Sequence, residues 1–235
     1  MCLLRGECSM SEKKNKVIKV IVVDDHTLVR EAIVRLIDSE KDLRVMAATG
    51  DGDAVQGLIK KHNPDVVLMD IELPAGSGLL VVRELLNDFP KLRVVFLTMH
   101  RHEEYALRGL RAGAQGYLLK TSEPHELPAA LREVARGGTY ITREVSDRIA
   151  RHVARNGGKQ AFSQLSDREF QVLRGLAMGK SCKELAEEFA LSVKTIYTYR
   201  TRLLEKLELK NDIDLLRYVL RHDLLSGEDE PLPIS

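Results

Sequence analysis

Five short apolar runs, most of them rich in β-branched residues, constrain this chain more than any other feature. Val17–Val23 (VIKVIVV) stops at Asp24-Asp25, Val66–Met69 at Asp70, Val94–Leu97 at Thr98 and Tyr117–Leu119 at Lys120; Arg44–Ala47 is a weaker fifth run. Between them the apolar period lengthens to that of a helix, as in Leu28, Val29, Ala32, Ile33, Leu36 and Ile37. Ala54–Lys61, Gly78–Asn87, Glu103–Ala112 and Pro124–Arg136 read the same way, the last two closed by Gly113 and by Gly137-Gly138. Five strands alternating with five helices predict a doubly wound α/β domain, a five-stranded parallel sheet covered on both faces. Such sheets collect their functional groups at the carboxyl ends of the strands, beside a topological switch point. Asp24, Asp25, Asp70, Thr98 and Lys120 are therefore expected in one pocket.

Three carboxylates and an ammonium at strand ends suit a site visited by a cation and an anion. Without positive charge nearby, the carboxylates raise one another's pKa. Mg²⁺ takes a few carboxylates together with waters and phosphate oxygens, which fits this set. A carboxylate can then serve as nucleophile toward phosphorus and form an acyl phosphate. Lys120 would place a point charge on the phosphoryl oxygens, and Thr98 could donate its hydroxyl to one of them. Taken singly, Asp24 and Asp25 are ordinary loop or cap residues, Thr98 an ordinary strand end and Tyr117 an ordinary core residue. The ordered combination is not ordinary. The seven histidines are scattered without metal-ligand spacing.

After Gly138 strand patterns cease. Arg143–Arg155 reads as a helix, and Asn156–Gln164 (NGGKQAFSQ) as a linker. Four helices follow, at Asp167–Met178, Ser181–Phe189, Val193–Leu207 and Ile213–His222. Ser166 with Glu169 forms a capping-box signal. Ser181 and Ser192 open the next two helices, and the short turn between those two predicts a helix-turn-helix. The acidic tail GEDEPLPIS and residues 1–15 are expected to be disordered. No apolar run approaches the ~20 residues of a membrane span, and the start lacks the ~7–15 apolar residues of a signal peptide. Three cysteines without C-x-x-C spacing fit a reducing cytoplasm.

The segments VIVVDDH, VVLMDIELPAGSG, VVFLTMH and GAQGYLLK resemble the signatures of bacterial response-regulator receiver domains, of flavodoxin-like fold. LSDREFQVLRGLAMGKSCKELAEEFALSVKTIYTYRTRLLEKL is similar to the LuxR-type DNA-binding domain. Together they resemble the NarL/FixJ subfamily, with a receiver at 16–138, a linker at 139–162, an all-α helix-turn-helix domain at 163–225 and a tail at 226–235. The resemblance implies that Asp70 accepts a phosphoryl group from a sensor histidine kinase. It further implies that Asp24, Asp25, Asp70 and the carbonyl of Glu72 hold Mg²⁺, that Thr98 and Tyr117 form the switch pair, and that Lys120 contacts the phosphate. Many receivers carry Pro after that lysine; here it is Thr121, which favours a trans peptide. Cys182 stands where the family usually has Asn, a change without an evident reading.

Charge in the C-terminal domain is balanced overall, eleven basic against ten acidic residues over 163–225, but residues 193–210 hold five basic against two acidic. Lys194, Thr195, Tyr197, Thr198, Arg200, Thr201 and Arg202 are the expected contacts to double-stranded DNA. The basic ones suit phosphates, and the Tyr and Thr side chains suit base edges. A homodimer on DNA is expected, with Leu215, Leu216, Val219 and Leu220 supplying apolar surface, and RNA polymerase is left open as a further partner. The resemblance also implies that the resting receiver covers the recognition helix, and that Tyr117 moves inward as Thr98 turns to the phosphate. Two other readings stay open: an aspartyl-phosphate phosphatase with Glu72 as general acid, and an adaptor that binds without phosphorylation.

Overall fold

Successive residues of a strand face opposite sides of a sheet, so an unbroken apolar strand needs cover on both. A computed structural model, describing residues 17–73, 76–156, 162–222 and 224–225, supplies that cover. The elements of the N-terminal domain are β1 (Ile18–Val23), α1 (Thr27–Asp38), β2 (Leu43–Thr49), α2 (Val55–His62), β3 (Val66–Met69), β4 (Glu72–Leu73), β5 (Gly76–Ser77), α3 (Gly78–Asp88), β6 (Val94–Thr98), α4 (Glu103–Arg111), β7 (Gly116–Leu119), α5 (Glu126–Ala135) and β8 (Tyr140–Ile141). The main sheet runs β2-β1-β3-β6-β7-β8, all parallel. It thus has six strands where five are expected: Tyr140–Ile141 adds an edge strand beside β7. A two-residue antiparallel hairpin, β4–β5, also lies outside the sequence reading.

On one face Ile21, Val23, Val67, Met69 and Phe96 pack with residues of α2, α3 and α4. On the other, Val20, Val22, Leu68, Val95 and Leu118 pack with Ile33 and Ile37 of α1 and Leu127, Leu131 and Val134 of α5. The chain reverses direction across the sheet at β1, which has β2 on one side and β3 on the other. The crevice beyond the carboxyl ends of β1 and β3 is therefore the switch point.

The C-terminal elements are α6 (Arg143–Asn156), α7 (Asp167–Ala177), α8 (Cys182–Glu188), α9 (Val193–Lys206) and α10 (Asp212–Arg221). Complete capping boxes close α7 (Ser166 with Glu169) and α8 (Ser181 with Glu184), and Ser192 caps α9 by accepting from the Thr195 N–H. Each cap contributes about 1 kcal/mol. The expected disordered ends, 1–15 and 226–235, lie outside the described residues, as do residues 157–161 of the expected linker.

The two domains are docked through α4 and α7. Arg108 on α4 is 5% exposed and bonds Glu104 Oε1 at 2.9 Å, Asp167 Oδ1 at 2.9 Å and the carbonyls of Leu165 and Phe162 at 3.1 and 2.6 Å. Its guanidinium lies 4.2 Å from the Phe170 ring centroid. Arg83 on α3 reaches the other oxygen of Asp167 at 2.9 Å, and Arg174 on α7 pairs with Glu72. His102 accepts the Glu104 N–H at Nδ1, which leaves Nε2 to donate to the His222 carbonyl at 3.1 Å.

Candidate functional site

The expected pocket is assembled at the switch point. Asp24 and Asp70 are 2% and 3% exposed at the ends of β1 and β3. Lys120, after β7, places its ammonium 2.6 Å from Asp70 Oδ2 and 2.9 Å from Asp24 Oδ2. Asp24 Oδ1 accepts the His26 N–H at 2.9 Å, and Asp70 Oδ1 accepts the Glu72 N–H at 3.4 Å. Asp25 is half-exposed at the mouth, its Oδ1 2.9 Å from His26 Nδ1. Burial raises the Asp70 carboxyl pKa; Lys120 opposes this and Asp24 adds to it. Burial works against the Lys120 charge, yet hydrogen bonds to Asp24 and Asp70 outweigh it and raise that pKa too. Both shifts favour bound protons, as expected where carboxylates outnumber cations.

Gly78 makes this geometry possible. A Cβ there would run into the Asp70 carbonyl, so only glycine lets α3 begin against the end of β3.

Ligand atoms of Asp24, Asp25, His26 and Asp70 lie within 4.8 Å of one another. His26 was not marked by the sequence: its signal was adjacency to Asp24-Asp25, and histidine spacing alone concealed it. Glu72 sends its carboxylate away from the cluster, toward Arg174 and His100. Burial raises its pKa, but the His100 and Arg174 contacts hold it far below the usual carboxylate range.

Thr98 is fully buried, its Oγ1 accepting the His100 N–H at 3.3 Å. Tyr117 is 1% exposed and donates its hydroxyl to the His100 carbonyl at 2.8 Å. The Tyr117 ring thus lies on the inside, beside Phe96. The peptide after Lys120 is trans, there being no cis bond among the described residues.

In the C-terminal domain, Lys194, Tyr197, Thr198, Thr201 and Arg202 lie on the exposed side of α9. Ile196, Leu203 and Leu204 fill the opposite, buried side. Thr195 is spent on the cap, with its Oγ1 2.7 Å from Ser192 Oγ. Arg200 is tied at 2.9 Å to Asp212 at the start of α10 and is less exposed than Thr201 and Arg202. The receiver-side docking contacts reach α7 while the recognition face stays exposed, which corrects the expectation of a covered α9. On α10, Leu215 and Val219 close the domain core, whereas Ile213, Leu216 and Leu220 are exposed on one face.

Residues 20–132 match the response regulator receiver domain family, and residues 163–219 the bacterial regulatory proteins of the luxR family. The chain is 35% identical over 214 residues to the oxygen regulatory protein NreC of Staphylococcus carnosus (strain TM300), covering 88% of this chain and 99% of the relative. NreC of Staphylococcus haemolyticus (strain JCSC1435) is 33% identical with the same coverage. The RcsB response regulator of Salmonella typhimurium matches with a TM-score of 0.69 at 27% identity, over 88% of this chain and 98% of that chain. RcsB from Salmonella enterica serovar Typhimurium bound to promoter rprA in the presence of phosphomimetic BeF3- matches with a TM-score of 0.65 at 27% identity, over 86% and 98%.

The chain belongs to the two-component response regulators. It is a phosphorylation-dependent DNA-binding transcription regulator, a receiver followed by a LuxR-type helix-turn-helix. Among the described residues of this response regulator, no helix is long and apolar enough to cross a membrane.

Proposed function

We propose that Asp70 is the phosphoacceptor of this response regulator and that its phosphorylation, dependent on Mg²⁺, controls DNA binding in the cytoplasm. The observation that carries this is the buried Asp24–Lys120–Asp70 bridge beside Asp25. Three carboxylates against one ammonium leave a negative surplus that a hard dication would offset. Asp24, Asp25 and Asp70 offer the oxygen donors such an ion takes, with the Glu72 carbonyl as a further ligand and His26 at the rim. When bound, Mg²⁺ supplies charge that neutralises the transferring phosphoryl oxygens.

An Asp70 carboxylate oxygen attacks phosphorus as the bond to the donor's imidazole nitrogen breaks, and the electron pair leaves with the imidazole. Lys120 moves its charge from the Asp70 carboxylate to the phosphoryl group, and Thr98 turns its hydroxyl to a phosphoryl oxygen. Incubation with a small acyl phosphate and Mg²⁺ is expected to leave one hydroxylamine-labile phosphoryl group per chain. Labelling that persists at full rate in excess chelator would remove the metal from this reading.

The partner that delivers the phosphoryl group is a sensor histidine kinase, and α1 carries a surface suited to it. Leu28, one residue past Thr27 at the start of α1, is 84% exposed. Beyond it, Val29, Ile33 and Leu36 face Leu127 of α5 across a cavity of about 150 Å³. Leu28→Glu is expected to slow transfer from a kinase about tenfold or more, since truncation or reversal at an interface anchor costs ~2 kcal/mol. Labelling by a small acyl phosphate should change less than about twofold. Equal slowing with both donors would mean that Leu28 serves the pocket and not the partner.

For DNA, exposure on α9 supports phosphate contacts by Lys194 and Arg202 and base contacts by Tyr197, Thr198 and Thr201. Lys194→Ala or Arg202→Ala should weaken binding on all sequences and reduce the salt slope by about 1. Alanine at Tyr197, Thr198 or Thr201 should shift base preference by about 1–3 kcal/mol at one position. Selection from randomised duplexes, repeated at several salt concentrations, separates the two; Arg200→Ala should lower stability with base preference unchanged. A second copy of the chain, docked on Ile213, Leu216 and Leu220, would supply the other half-site.

A further inference from the structure

His100 touches both members of the switch pair and two of the side chains that contact α7, Tyr105 and Glu72. Its N–H donates to Thr98 Oγ1 at 3.3 Å, and its carbonyl accepts from Tyr117 at 2.8 Å. Its ring, 7% exposed, stacks on Tyr105 with centroids 4.1 Å apart and planes 8° from parallel. Ring Nε2 lies 3.3 Å from Glu72 Oε1. From these two neighbours the path crosses into the DNA-binding domain: Tyr105 meets the edge of Phe170 at 5.1 Å, and Glu72 pairs with Arg174, whose guanidinium is 5.9 Å from the Tyr105 ring. The same walls enclose a cleft of about 400 Å³ between the domains, with Asp25, His26 and Glu72 on one side and Phe170, Gln171 and Arg174 on the other.

We propose that His100 is the positioning residue through which the state of Asp70 acts on α7. The proposal rests on the reading of Asp70 as phosphoacceptor. When the Thr98 hydroxyl turns to donate to a phosphoryl oxygen, its rotation about χ1 takes Oγ1 away from the His100 N–H. A buried N–H left without an acceptor is costly, so the segment 98–100 shifts to satisfy it again. The imidazole is carried on the same Cα, and a shift of the peptide therefore displaces the ring from Tyr105 and from Glu72. Glu72 is pulled from its other end as well, because its N–H donates to Asp70 Oδ1 at 3.4 Å. Packed and ion-paired contacts of this kind break between discrete arrangements instead of stretching. Phosphorylation thereby weakens both contacts on α7 together, and by linkage a docked α7 disfavours phosphorylation to the same degree.

The test uses the full chain with Mg²⁺ and a small acyl phosphate, and follows backbone hydrogen exchange of α7 alongside Asp70 labelling. In the wild type, labelling should speed exchange over Phe170–Arg174 about tenfold. His100→Ala keeps the backbone bonds to Thr98 and Tyr117 and removes both ring contacts. It should be labelled normally while the α7 response falls below about twofold. If His100→Ala is already unprotected without the donor, His100→Phe decides, because it keeps the stack on Tyr105 and loses only the Glu72 contact. A docked His100→Phe with less than half the wild-type response supports the proposal. A labelled His100→Ala or His100→Phe that responds like wild type overturns it, as does a His100→Phe that is itself unprotected at rest, since the Glu72 contact would then be a fixed part of the docking and not a relay. Absence of labelling in the wild type would instead defeat the assignment of Asp70.

Discussion

Asp70→Asn is expected to reduce phosphoryl uptake from any donor at least about a hundredfold, since a neutral amide is no nucleophile toward phosphorus. The substitution keeps the shape of the side chain, so loss of labelling would not come from misfolding. Its stability should move in the opposite direction to its function. Burial raises the Asp70 pKa, which means that the folded protein disfavours the ionised carboxylate relative to the unfolded chain. Stability from this group is therefore fullest at low pH and declines as pH rises through the ordinary carboxylate range and beyond. At neutral pH the asparagine variant is free of that penalty, and without metal it should melt a few degrees higher, about what ~1 kcal/mol produces in a domain of this size. Added Mg²⁺ should narrow or reverse the difference, because it stabilises the wild-type carboxylate cluster by binding it. Thermal melts with and without Mg²⁺, beside labelling by mass spectrometry, check both halves. Full labelling of the variant would refute the assignment.

Arg108→Ala is expected to separate the domains. The residue satisfies two carboxylates and two carbonyls at once, and Glu104, which it pairs with, is wholly buried. Removing one partner of a buried ion pair costs about 3–5 kcal/mol, mostly through the charge left behind. That exceeds what the remaining contacts between α4 and α7 can recover, so α7 should lose exchange protection and the radius of gyration in solution scattering should rise. Arg108→Lys should not restore docking, because one ammonium lacks the planar fork that meets four separate acceptors. A scattering profile identical to wild type would show that the latch lies elsewhere. Asp70 labelling by a small acyl phosphate should persist in both variants.

The sheet was legible because β1, β3, β6 and β7 are dominated by apolar residues, and the polar residues that end them gather at the pocket. β8 escaped because two residues, Tyr140 and Ile141, carry no alternation; it forms only because β7 offers an unpaired edge. The hairpin of Glu72–Leu73 with Gly76–Ser77 is equally short. The helix-turn-helix was read correctly from its serine caps, yet the ion pair of Arg200 was not foreseen, since its partner Asp212 lies on another helix and helical position alone cannot reveal it. The docking contacts were invisible for a related reason. Arg108 and Asp167 are 59 residues apart, and nothing local marks either as half of a pair.

The bonds of Arg108 to the Phe162 and Leu165 carbonyls bear on how freely the two modules can be exchanged. Those carbonyls precede α7 in the chain, yet their acceptors are satisfied from α4. The natural seam for a hybrid regulator is therefore not the stretch joining the modules. A chimaera that grafts a foreign output module after residue 161 would inherit Arg108 and Arg83 without their acceptors at Phe162, Leu165 and Asp167, and would begin life undocked. To transplant the switch along with the output, the graft must carry residues 162–174 as part of the input half. Inheritance of control would then follow thirteen residues at the front of the output module, whichever promoter the remainder reads.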